Sequence, residues 1–220
     1  ALKNLTRSHP TMVRAYRTLG NILRYEERYQ DAIEVFNDAI ELSNSEDKSA
    51  WRLFYARGIA YERLNEWPKA DHDFREALRL KPDQPLVLNY LGYSLVEKKV
   101  QLGEALAMIE KAVDLRPSSG FIVDSLGWVL FRMQQYEEAV PHLERAAELE
   151  PVDPIVNDHL GDVYWAVGRK REAHFQWQRA LYFDPEEAEA DRIRRKLDVG
   201  LDVVLQEEGA DPLTVAQSND

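Results

Sequence analysis

The chain has 220 residues, 45% hydrophobic and 30% charged, with a formal net charge of −11. No apolar run is long enough to span a bilayer, since even residues 121–131 are broken by Asp124, so no transmembrane segment is expected. The acidic excess repels polyanions and argues against a nucleic-acid partner, while zero cysteines exclude disulfides and thiolate metal sites and leave the compartment open.

In chain order, residues 1–12 read as the remnant of a preceding repeat unit. Pro10 stands three residues before Val13, as Pro82 does before Pro85 and Pro151 before Pro154. The first full unit, 13–50, carries Gly20 in a first helical pattern and Ala32, Phe36 and Ala39 in a second. Asn44 stands where later units close on proline, and the loop at 43–50 is four residues longer than its counterparts. Such an insertion costs only a few tenths of a kcal/mol in closure entropy, roughly, and need not interrupt a stack. Unit two, 51–84, repeats the set with Gly58, Ala70, Phe74, Ala77 and Pro82. Unit three, 85–119, has Gly92, Ala105, Ile109, Ala112 and Pro117, with one extra residue within 98–103. Unit four, 120–153, has Gly127, Ala139, Leu143, Ala146 and Pro151, and unit five, 154–187, has Gly161, Ala173, Trp177, Ala180 and Pro185. Residues 188–206, with Ile193, Leu197, Leu201 and Leu205 near helical spacing, are expected to form a capping helix. Residues 207–220, with four acidic side chains and no basic one, are expected to be a disordered acidic tail.

The five glycines are spaced by 38, 34, 35 and 34 residues. A glycine inside a helix costs about 1 kcal/mol relative to alanine, so five at one phase imply that close helix packing needs the missing side chain. The alanines and large apolar residues that follow, spaced by four and three, mark one face of a second helix. Proline removes a donor and ends the helix before it, whereas Pro85 and Pro154 sit where a first turn tolerates proline, the latter beside a capping Asp153.

The best copies read Asn89-Tyr-Leu-Gly-Tyr-Ser-Leu, Asp124-Ser-Leu-Gly-Trp-Val-Leu and Asp158-His-Leu-Gly-Asp-Val-Tyr. The pattern resembles the tetratricopeptide repeat, with Arg57 departing from the leucine that usually precedes the glycine. The resemblance implies an all-α, right-handed α-solenoid of five tandem helix hairpins plus a C-terminal capping helix. It also implies a non-catalytic adaptor or scaffold that binds a peptide segment or helix of a protein partner in a concave groove. The alternative is structural self-assembly through stacked repeat ends into a homo-oligomer or larger complex. The wording Val140-Pro-His-Leu-Glu-Arg-Ala and Asp191-Arg-Ile-Arg-Arg-Lys-Leu is similar to proteobacterial tetratricopeptide proteins, some exported or lipid-anchored in the envelope. That similarity implies a periplasmic or envelope-associated location, with a cytoplasmic one left open.

In a stack of helix pairs the first helices line the concave wall, and residues six and three before each glycine, and one and four after, share a face. The candidate ligand-binding residues are Arg14, Arg17, Asn21, Arg52 and Tyr55 in the first two units, then Asn89 and Tyr93 in the third. Phe121, Asp124 and Trp128 follow in the fourth unit and Asp158, Asp162 and Trp165 in the fifth. The arginines suit an acidic segment or carboxylate, although a solvated basic patch explains them as well. Tyr93, Phe121, Trp128, Phe131 and Trp165 form an expected aromatic floor, with Phe131 and Trp165 equally suited to core packing. The histidines occur singly, and Asp158, His159 and Asp162 near Asp124 make the one carboxylate–imidazole cluster. It reads as an acidic wall selecting a basic ligand group; no catalytic residue, metal or cofactor is expected.

Overall fold

A computed structural model of the chain describes residues 12–43, 47–210 and 212–213. Residues 1–11 of the expected remnant (1–12), Asn44, and residues 211 and 214–220 of the expected tail (207–220) lie outside the described residues. Among those described, the chain is all-α, with twelve helices and one short 3-10 turn at Lys48–Ala50. The helices are α1 (Val13–Tyr25), α2 (Tyr29–Glu41), α3 (Trp51–Arg63), α4 (Trp67–Leu80), α5 (Pro85–Glu97) and α6 (Leu102–Leu115). They continue as α7 (Gly120–Arg132), α8 (Tyr136–Leu149), α9 (Pro154–Ala166), α10 (Lys170–Tyr182), α11 (Glu187–Val199) and α12 (Leu201–Glu207). None is long and apolar enough to cross a membrane. Packing divides the chain into two compact units, residues 1–91 and 92–220, the division falling within α5.

Each hairpin is locked the same way. A methyl group on Gly20 would stand 2.5 Å from the Phe36 ring, one on Gly58 2.7 Å from Phe74 and one on Gly92 2.7 Å from Ile109. Leu143 and Trp177 fill the same place against Gly127 and Gly161. All five large residues are fully buried, so the glycines exist to let these side chains lie against a bare helix backbone. The helix ends follow the prolines: α4, α6, α8 and α10 each stop two or three residues before one, and Asp153 Oδ1 accepts from the amides of Ile155 and Val156 at 2.9 and 3.0 Å.

A second periodic feature appears at the hairpin turns. The residue seven after each glycine is left-handed: Glu27, Asn65, Lys99, Gln134 and Gly168, with φ between 55° and 82°. The following amide then reaches back five residues, as from Arg28 to Leu23 O and from Gln135 to Leu130 O at 2.9 Å each, closing the helix end. The extra residue of the third unit is accommodated by a second left-handed residue there, Gln101 at φ 50°. Arg57, the departure before Gly58, forks onto Asp73 with two 2.7 Å bonds and donates to Asn37 Oδ1 at 2.7 Å, tying α3 to α4 and α2. Its charge thus has a buried partner where leucine would have packed.

The expected single capping helix is two. Gly200, at φ 87°, interrupts it, and α12 doubles back along α11 with Glu208 paired to Arg192 and Glu207 to Arg195. Residues 207–210, expected within the disordered tail, continue the fold: Glu208 N and Ala210 N donate to Val204 O and Leu205 O at 2.9 Å.

Candidate functional site

In the first unit, Arg17, Asn21 and Arg24 of α1 meet Trp51, Arg52 and Tyr55 of α3 around a cavity of about 320 Å³. Arg14, one turn before Arg17, is exposed. The Arg52 guanidinium lies 4.7 Å over the Trp51 ring and that of Arg24 4.7 Å over Tyr25, while Arg24 Nε is buried without an acceptor. Burial pushes the Tyr55 hydroxyl up to about 12, against the opposing pull of Arg24, so it stays a neutral donor. Tyr55 meets Tyr90 edge-on at 5.8 Å, and Tyr90 donates to Glu62 at 2.6 Å. Asn89 is half-buried with its Oδ1 unpartnered. Of the sequence-expected residues of this unit, Arg17, Asn21, Arg52 and Tyr55 therefore surround a cationic, aromatic-walled recess in a chain whose overall charge is negative, while Arg14 and Asn89 stand outside its lining.

In the second unit, Tyr93, Trp128, Ile155, Asp158 and His159 line a cavity of about 360 Å³ together with Glu97, Arg132 and Arg192. Phe121 and Ile155, at equivalent places in α7 and α9, are 49% and 48% exposed. Trp128 is only 8% exposed: it is stacked between Phe131 at 5.0 Å and His159 at 4.0 Å, and its Nε1 donates to Glu97 Oε1 at 2.8 Å. Phe131 is buried in that stack, and Trp165 leans on Trp177 at 5.3 Å with the Lys170 ammonium 3.6 Å over its ring. The expected aromatic floor is therefore largely packed: Trp128 and Phe131 are buried in a stack, Tyr93 is half-buried, and among the large apolar side chains at these positions Phe121 and Ile155 are the most exposed.

The expected acidic wall meets a different arrangement, because this chain's own cations engage each carboxylate. His159 Nδ1 lies 3.0 Å from both oxygens of Asp124. Lys196 of α11 is fully buried, with Nζ 2.5 Å from Asp158 Oδ1 and 2.6 Å from Asp162 Oδ1. Arg192 adds charge at 3.6 Å from Asp162 Oδ2, and Trp177 Nε1 donates to Asp162 Oδ1 at 2.9 Å. Burial in this cluster raises the Asp158 carboxyl above the ordinary range, Lys196 opposing. Sequence reasoning missed Lys196 and Arg192, yet a signal was present. Asp162–Lys196 and Asp158–Arg192 are 34 residues apart and Asp124–His159 is 35, one repeat in each case. Opposite charges one period apart on first helices become neighbours once the units stack. Among the described residues no group of three His, Asp or Glu is arranged to hold a metal ion.

For His159, burial opposes the charged ring most strongly, but Asp124, then Asp158 and Asp162, outweigh it and hold its pKa above the ordinary value. The folded state thus binds this proton more tightly than the unfolded chain. The stability it adds is complete below the unfolded value, about 6.5, and is lost as pH rises through the raised folded value. Relative to a His159→Gln variant, the native chain should lose stability as pH rises above neutrality, by up to about 1.4 kcal/mol per pH unit. Urea denaturation at a series of pH values would measure this, and parallel profiles for the two chains would contradict it.

Sequence profiles described as tetratricopeptide repeat match residues 11–83 in one case and residues 55–120 and 125–192 in another. A TPR repeat-containing protein of Pseudomonas aeruginosa is 36% identical over 80 residues, 36% of this chain and 14% of that protein. The human protein O-mannosyl-transferase TMTC1 is 28% identical over 111 residues, half of this chain and 12% of its own length. The matches thus span a small part of those proteins. Among solved structures, pilF of Pseudomonas aeruginosa superposes with a TM-score of 0.72 at 21% identity, covering 90% of this chain and 86% of that one. YrrB, described as a TPR protein with an unusual peptide-binding site, gives 0.63 at 22% identity, covering 89% and 98%. These likenesses show the fold.

Proposed function

We propose, from the premise that the chain belongs to the tetratricopeptide repeat family, that it is a non-catalytic adaptor whose first helices hold an extended segment or helix of a partner protein. The observation that carries this reading is the repetition of an exposed apolar side chain, Phe121 and Ile155, at one first-helix position, the latter sharing a cavity with the half-buried Tyr93. Large exposed apolar groups at equivalent places mark an interaction surface more strongly than single ones do. The peptide-binding site described for YrrB is consistent with this use of the fold. The arginine recess of the first unit suits a carboxylate-bearing side chain, because guanidinium groups fork onto carboxylates and Arg24 Nε has no acceptor of its own. An envelope-associated location is part of the same proposal, resting on the resemblance to proteobacterial tetratricopeptide proteins.

The test is capture of partners from source-cell lysate by the native chain and by a Phe121→Ser/Ile155→Ser variant, with circular dichroism as the folding control. Both residues are about half exposed, so the variant should fold normally while its principal partner binds about 30-fold more weakly, a loss of about 2 kcal/mol. Equal capture by the two chains would sink the apolar-surface reading. Sedimentation of the purified chain separates this function from self-assembly, which predicts a mass that grows with concentration.

A further inference from the structure

After Gly200 the chain returns along the second unit. A side chain at Gly200 would collide with the Trp165 ring. Asp202 Oδ2 accepts from Trp165 Nε1 at 2.6 Å and lies 3.7 Å from Lys170 Nζ, so the start of α12 is moored to α9 and α10. Farther on, Leu205, Ala210 and Leu213 form one side of a cavity of about 410 Å³ whose other side includes Val96, Trp128 and Phe131. The last segment of the described chain therefore lies over the aromatic stack of the preceding repeats.

Three features make this segment a cover rather than a core element. It spans the cavity without filling it, and 410 Å³ is room for on the order of ten waters at about 30 Å³ each. Only Leu201 and Val204 of α12 are buried, and the ion pairs Arg192–Glu208 and Arg195–Glu207 are between partners about a third to a half exposed, where charge pairing holds little. A seven-residue helix does not persist alone in water, so α12 exists because of the surface it is laid on. Its chemistry is that of a ligand: Asp202, Glu207 and Glu208 meet Lys170, Arg195 and Arg192, and Leu205 faces the aromatic side.

We infer that this surface of the second unit is a docking site for a short acidic, leucine-bearing helix of a partner protein, and that residues 201–210 and Leu213 are its resident occupants. A partner helix of the same chemistry binds by displacing them. The inference rests on the binding-module reading and adds to it a second surface, separate from Phe121 and Ile155, with its class of ligand and the segment that controls access to it.

The probe is a fluorescein-labelled peptide of residues 201–213, titrated by anisotropy into the full chain and into a full-length Asp202→Asn/Leu205→Ser variant that loosens the resident segment. The variant should bind the peptide about tenfold more tightly, the factor expected when the open form of the native chain is one part in ten. Adding Lys170→Glu should abolish the gain, and a peptide carrying the same two substitutions should not bind. Equal affinity of the two chains, or no binding by the variant, overturns the inference. Hydrogen exchange on the native chain gives an independent reading: amides of α12 should exchange far faster than those of α9, and equal protection would make α12 a fixed end cap. If the variant binds the peptide but neither it nor the native chain captures a protein partner, the reading of the chain as an adaptor fails while the occupied surface stands.

Discussion

Replacing Lys196 by methionine should destabilise the second unit by about 3–5 kcal/mol, because it leaves the buried Asp162 and the partly buried Asp158 without their cation. The side chain is fully buried, and its Nζ lies 2.5 and 2.6 Å from one oxygen of each carboxylate. Methionine keeps most of the volume, so packing alone would change little. Arg192, at 3.6 Å from Asp162 and 3.9 Å from Asp158, offers partial compensation and places the effect toward the lower end of the range. Urea denaturation followed by circular dichroism measures it. The cause is separable: Asp158→Asn/Asp162→Asn together with Lys196→Met should recover most of the loss, since removing the whole cluster costs far less than orphaning half of it. A triple variant no more stable than Lys196→Met would place the effect in packing instead.

Truncating Trp177 to alanine should cost about 3–5 kcal/mol, the range for deleting a fully buried indole. The ring fills the space left by Gly161, leans on Trp165 at 5.3 Å and His174 at 5.7 Å, and donates to Asp162. A double variant tests the pairing of glycine and large residue directly. Gly161→Ala should be destabilising in the native chain, where its methyl would collide with the indole, and nearly neutral or better beside Trp177→Ala. Equal effects in the two backgrounds would mean that the glycine serves something other than this contact. The effects of Lys196→Met and Trp177→Ala should not add, because both side chains bond to Asp162 Oδ1.

The hairpin packing was legible in the sequence because it is local and repeated. Gly20 and Phe36 are 16 residues apart, as are Gly58 and Phe74, and each pair is repeated by a counterpart in every later unit, so the phase of the pattern names both partners. The turns were less legible. Three of the five left-handed turn residues are Glu27, Lys99 and Gln134, and only Gly168 and, more weakly, Asn65 carry a usual mark of that conformation. The position of Trp128 after a packing glycine points it to the open face, whereas its indole lies flat against the His159 ring of the next repeat. A periodic pattern assigns a direction to a side chain and says nothing of what the neighbouring helix brings against it.

The sequence by itself determined the repeat, its five glycine-centred hairpins and the proline-bounded ends of the helices, because each depends on backbone sterics and on spacings of three and four within a few turns. Only the tertiary structure decided which of the candidate groups stay open. Asp158 and Asp162 are taken by Lys196, Asp124 by His159 and Trp165 by Asp202, partners 34 to 38 residues away in every case. Electrostatic and aromatic contacts act through space at a few ångströms, and stacking the units is what brings residues one repeat apart within that range.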